Sequence, residues 1–140
     1  MNNENSLEKY SSYIGLTTTE ILQSKKLQRE FALWLVKIKL NLELVSTKKD
    51  YDALDSQKKS YKIKFRCVEK LSENTSFDFP DANYEFDYLV GVFFNHHLDV
   101  LGIIYTTHDT FKELGVKNKK SFRFRWNENV SDDVRIKKLV

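Results

Sequence analysis

A chain of 140 residues fits one domain and is long enough to bury a real core. With 41% hydrophobic and 31% charged residues, and only 4 Gly and 1 Pro, it is neither a disordered chain nor a loop-rich scaffold. The net charge of +3 permits an anionic partner without demanding one.

The 10 Phe and 7 Tyr predict a largely aromatic core. Cys67 is the single cysteine, so no internal disulfide forms, which fits a reducing compartment. The opening MNNENSLEKY has no basic n-region and no apolar stretch, and no apolar run reaches the length of a membrane span. The expected location is cytoplasmic, with no membrane partner.

In chain order, residues 1–16 form either a mobile arm or a short helix, NSLEKYSSYIG, stopped by Gly15. Residues 17–140 form a single domain. TTTE (Thr17 to Glu20) has capping-box spacing. It predicts a long helix to about Leu40, with Ile21, Leu27, Phe31, Trp34, Leu35 and Ile38 at helical spacing. LNLELV and DYDALD read as strands. SYKIKFRCV alternates strictly, placing Tyr61, Ile63, Phe65 and Cys67 on one face and Lys62, Lys64 and Arg66 on the other. Cys67 at an inward position reads as a small buried hydrophobe.

Ser72 to Asn83, with Pro80, reads as a loop. FDYLVGVFF (Phe86 to Phe94) is apolar almost throughout, as a central strand covered on both faces must be. NHHLD is a hairpin turn and VLGIIYT the returning strand. His96 and His97 on that turn read as surface residues, because no zinc pattern surrounds them. Thr106 or Thr107 caps a short helix, HDTFKEL, and His108 near its start reads as structural. SFRFRW is a further alternating strand. Ser131 with Asp132 and Asp133 opens a final helix. The sum is an α+β domain (α/β/α-like), with a central mixed sheet of about five strands and the long N-terminal helix packed on it.

From Lys48 to Lys70 eight basic residues stand against four acidic ones, an excess the rest of the chain lacks. Within this segment Asp52 lies on one strand and Lys64 on the next, and Glu30 lies on the preceding helix. Phosphodiester hydrolysis by Mg²⁺ needs such carboxylates around the ion and a cation near the attacked phosphate. The backbone carbonyl of Ile63 can complete such a site. The plain alternative is a solvated charged face.

YDALDSQKKSYKIKFR resembles the core motif of the PD-(D/E)XK, or restriction-endonuclease-like, nuclease superfamily, in particular small members carrying a YDA segment followed by IKxR. The resemblance spans about Leu27 to Trp126. It implies Asp52 and Lys64 as motif residues and Glu30 as the helix acid. Asp52, Glu30 and Ile63 then hold Mg (or Mn), without a small-molecule cofactor. Apart from the resemblance, the basic residues Lys58, Lys59, Lys62, Arg66, Arg123 and Arg125 are expected to contact DNA phosphates, with Lys117, Lys119 and Lys120 nearby. The implied activity is DNA endonuclease, restriction or defence-like, and cutting both strands of a duplex calls for a homodimer. Two features depart from the pattern, the first being the turn SQKK, where the family often carries glycine. Lys62 stands where the family carries a metal-binding acid or glutamine, and a protonated lysine cannot coordinate metal. Either the remaining acids suffice, or the domain is a catalytically inactive nuclease-fold module that binds nucleic acid or a protein partner.

Overall fold

The computed structural model describes residues 5–45, 50–80, 83–119 and 121–139. Lys48, Lys49 and Lys120 of the basic stretches lie outside them. The chain begins with α1 (Ser6–Ile14), α2 (Thr18–Leu22) and α3 (Lys25–Leu40), followed by β1 (Glu43–Leu44), β2 (Ala53–Leu54), β3 (Ser60–Cys67) and β4 (Thr75–Phe79). It continues through β5 (Tyr88–Phe94), β6 (Val100–Thr107), α4 (His108–Leu114), β7 (Val116–Lys117), β8 (Phe122–Trp126), α5 (Glu128–Ser131) and β9 (Lys137–Lys138).

Asn5 caps α1, its Oδ1 accepting from the Leu7 and Glu8 amides, and Gly15 ends it at φ 74°, a conformation free of strain for glycine. The segment is a helix rather than an arm, because Leu7 and Tyr10 are buried in the same core as Phe31. The capping box at Thr17 and Glu20 forms, but it starts only one turn. The expected single long helix breaks at Gln23 and Ser24. Ser24 is extended (φ −129°, ψ 114°), and its hydroxyl accepts from the Leu27 amide to start α3 afresh. α3 buries Phe31, Ala32, Leu35 and Val36, while Ile38, expected on the apolar face, is exposed.

The fold is mixed α+β. The central sheet has six strands in the order β1-β2-β3-β5-β6-β9. β3 and β5 run parallel and every other neighbouring pair is antiparallel. The helices cover one face through Ile63, Val90, Val92, Phe94 and Ile103. The other face is covered by a three-stranded antiparallel sheet, β4-β8-β7, together with α4, which differs from the expected second helical layer. β4 lies inside the stretch expected to be a loop. Its Phe77 and Phe79 alternate inward and pair with Phe124 and Phe122 of β8. The final helix also differs: α5 is capped by Asn127 and ends at Ser131.

The aromatic content fills the second core, where Phe77, Phe79, Phe93, Phe111, Phe124 and Trp126 are fully buried. Among the described residues no helix is long and apolar enough to cross a membrane.

At Gly91 in β5 the two sheets approach closely, since a Cβ there would sit 2.7 Å from the Phe77 ring. Gly91→Ala therefore overpacks the contact between the sheets. A loss of about 1–3 kcal/mol is expected in urea unfolding, and a change within 0.5 kcal/mol would show that the sheets separate easily.

Candidate functional site

Four of the expected site residues converge: Asp52, Lys62, Ile63 and Lys64. β2 covers β3 only at Ser60 and Tyr61, so from Lys62 onward that edge of β3 has no strand beside it among the described residues. Asp52, just before β2, fills the gap. Its amide donates to the Tyr61 carbonyl at 2.8 Å, and its Oδ2 accepts from the Ile63 amide at 2.8 Å. The Asp52 carboxylate thus replaces the first missing rung of the ladder and is 6% exposed.

Two cations close on this carboxylate. The Arg29 Nη2 donates to Oδ1 at 2.9 Å from α3, and the Lys62 Nζ lies 3.6 Å from Oδ2. Arg29, not Glu30, is the helix residue that reaches Asp52. Neighbours on a helix point about 100° apart, and Glu30 acts instead on Tyr10, whose hydroxyl pKa is raised by burial and by the Glu30 charge. Asp55 is also occupied. It accepts from the Gln57 and Lys59 amides and from the Tyr61 hydroxyl, and so holds the β2–β3 turn together.

The charged face of β3 is not a solvated face. The Lys62 Nζ lies 5.3 Å from the Tyr84 ring centre, the Lys64 Nζ 4.8 Å from Phe79, and the Arg66 guanidinium carbon 5.7 Å from Phe77. Three rings laid antiparallel to β3 thus cover three cations, an arrangement that compensates part of their lost hydration. Arg66 is pinned further, with Nε donating to the Ser76 carbonyl and Nη1 to the Phe65 carbonyl. Burial, with Lys62 and Arg66 beside it, lowers the Lys64 ammonium to about 8.

These residues do not fit a divalent cation. Mg²⁺ asks for near-octahedral oxygen ligands, and here one carboxylate already accepts an amide proton and faces two cations. Among the described residues no group of three or more His, Cys, Asp or Glu is placed to hold a metal ion.

The remaining basic candidates lie apart. Lys58, at φ 64°, and Lys59 are exposed on the β2–β3 turn. Arg123 pairs with Asp78 at 2.8 Å and Arg125 is exposed, both on the second sheet, on the opposite side of the central sheet from α3. Lys62 is 9% exposed and faces inward, so it is not a contact residue. His96 and His97 are exposed on their turn, and the His108 Nε2 lies 2.8 Å from the Tyr84 carbonyl.

Sequence reading missed a groove of about 760 Å³ between the start of α3 and the free edge of β3. Lys25, Lys26, Arg29 and Arg66 supply its charge, and Phe65 and Cys67 its apolar part. A signal was present in the sequence. Lys25 and Lys26 open a helix that has no acid in its first turn, the reverse of what the helix dipole favours.

Asp52→Ala leaves Lys62 buried without its anion and the Ile63 amide without an acceptor. A loss of roughly 3 kcal/mol is expected in urea unfolding. Lys64 gives a pH test. Folded, it loses its proton near pH 8, and unfolded near 10.5, so between these values the unfolded chain holds more protons and stability rises with pH. Lys64→Met removes this term. Its gain in melting temperature over wild type should be largest below pH 8 and shrink toward pH 10.5, and a pH-independent gain would contradict the assignment. The chain matches no family model, and no curated protein matches it significantly, so the reading of this site rests on its own residues.

Proposed function

We propose that this protein is a nucleic-acid-binding module built on a restriction-endonuclease-like scaffold, in which cations stand where a nuclease holds its metal. The observation that carries this reading is the Asp52 carboxylate held between Arg29 and Lys62. Lys62 occupies the position of the expected metal ligand. Its ammonium, near Asp52 Oδ2, provides the positive charge that Mg²⁺ would bring, but no open coordination site and no acidic water. Lys64, the motif lysine, is half-buried against Phe79 and feels the Asp52 charge. Arg29 and Lys62 thus close on one carboxylate, the Asp52 charge also acts on Lys64, and Lys25 and Arg66 add charge to the adjoining groove, while the metal-binding acids are missing. An arrangement of this sign attracts polyanions and does not hold a divalent cation.

The groove beside Asp52 supports a nucleic acid as the polyanion. Its cations come from the start of α3 and, with Arg66, from the free edge of β3, where phosphates can be contacted in sequence. A protein partner gains less support from the same surface. Adding a strand to the edge of β3 requires the Ile63 amide and the Phe65 carbonyl, and Asp52 and Arg66 already occupy them.

Three measurements test the reading. Incubated with Mg²⁺ or Mn²⁺, the protein should leave linear, nicked and single-stranded DNA intact. It should nevertheless bind nucleic acid with an affinity that falls linearly in log–log against salt, and Lys26→Gln should reduce that slope by about one. In calorimetry the wild type should take up no Mn²⁺, whereas the double variant Arg29→Gln, Lys62→Glu, which exchanges both cations, should do so. Metal-dependent cleavage abolished by Asp52→Ala would restore the nuclease reading, and salt-independent association would remove nucleic acid as the partner.

A further inference from the structure

The groove is larger than phosphate contact alone requires. At about 760 Å³ it lies in the range of pockets that surround a small ligand. Charge is confined to part of it. Lys25 and Lys26 come from the first two positions of α3, and among the described residues neither has a carboxylate within ion-pair distance. The Arg66 guanidinium is held in place by two carbonyls and the Phe77 ring, and among the described residues no carboxylate lies within ion-pair distance of it. The apolar part of the lining is made by the Phe65 ring and the Cys67 side chain. Phe65 is braced from below, its ring lying edge-on to Phe94 at 6.1 Å. Duplex nucleic acid meets a protein with its phosphates and groove edges and keeps its bases stacked inside, so it would use the charged rim and leave the aromatic wall empty. An unpaired nucleotide uses both, because its phosphate needs cations and its exposed base needs a ring.

Resting on the nucleic-acid reading above, we infer that the groove takes one unpaired nucleotide of a single strand, with its phosphate among Lys25, Lys26, Arg29 and Arg66 and its base against Phe65. The domain then distinguishes single strands, ends or gaps from intact duplex through this pocket, while the exposed lysines contribute general phosphate attraction.

Fluorescence anisotropy at one fixed salt concentration tests this with three probes: a short labelled DNA single strand, the same strand in a duplex, and an abasic strand of equal length. The single strand should bind about tenfold more tightly than either of the others, the size of effect one stacked base confers. Phe65→Leu, which keeps an apolar side chain against Phe94, should lose about that factor for the single strand alone, with the salt slope unchanged. Cys67 provides a readout that needs no substitution. It is the only thiol, and single-stranded DNA should slow its alkylation by a maleimide, while the abasic strand should slow it less. Equal affinity for all three probes, or alkylation of Cys67 that proceeds unhindered under saturating single strand, would overturn the inference and leave the broader nucleic-acid reading standing. Failure of every probe to bind in a salt-dependent way would instead remove that broader reading.

Discussion

The Asp52 carboxylate is the constraint on which the rest of this structure depends. β2 is two residues long, so β3 loses its neighbour almost as soon as it begins. A strand edge left bare inside a protein carries unpaired amides and carbonyls, and each of these costs free energy. Asp52 answers the first of them with Oδ2 on the Ile63 amide. That position removes the carboxylate from water, and a buried carboxylate must be neutralised. Arg29 reaches it from the helical layer and Lys62 from the side facing the second sheet. One acid therefore ties α3, the central sheet and the second layer together at a single point, and the need to neutralise it dictates the charge of the side chains around it.

Lys62 brings Lys64 and Arg66 with it, because alternate residues of a strand share a face. Only Lys62 has Asp52 within ion-pair distance. The fold places Phe79 under Lys64 and Phe77 under Arg66, rings that offer a partial substitute for water. The compensation is incomplete for Lys64, whose ammonium is driven down to about 8 by burial and by the cations on either side. A cluster with more cations than anions, some of them half-buried, carries a field that a bound anion can satisfy. Phe77 in turn requires Gly91 beneath it. The same ring thus serves the core on one side and the basic face on the other.

Much of this was readable from the sequence, and the misreadings share a physical origin. β3, β5, β6 and β8 announce themselves by alternation or by unbroken apolar character, which are local properties. β4 does not, since only Phe77 and Phe79 alternate within the polar stretch Ser72 to Asn83, which includes Pro80, and the strand exists because β8 offers a partner far along the chain. The pairing of Asp52 with the β3 face could be read from spacing between two adjacent strands. Glu30 in place of Arg29 could not be resolved that way. The two residues differ by one step, about 100° of helix rotation, and the rotation of α3 is set by Ser24, which interrupts the helix and restarts it. A capping box read as the start of one long helix hides that restart. The burial of the lysine face was hidden for the same reason as β4, because the rings that cover it are supplied by the stretch that reads as a loop.

The position of Arg29 links the two halves of the site. It lines the groove and at the same time holds Asp52 Oδ1. A guanidinium has five donors in a fixed fork, enough to serve two acceptors at once. A phosphate in the groove therefore need not displace Asp52, and the carboxylate fixes the direction in which Arg29 presents its remaining donors. A side chain held in advance loses less conformational freedom when its ligand arrives. Here the acid orients a cation, and the buried charge that ties α3 to the edge of β3 is the same charge that sets the direction of a groove-lining guanidinium.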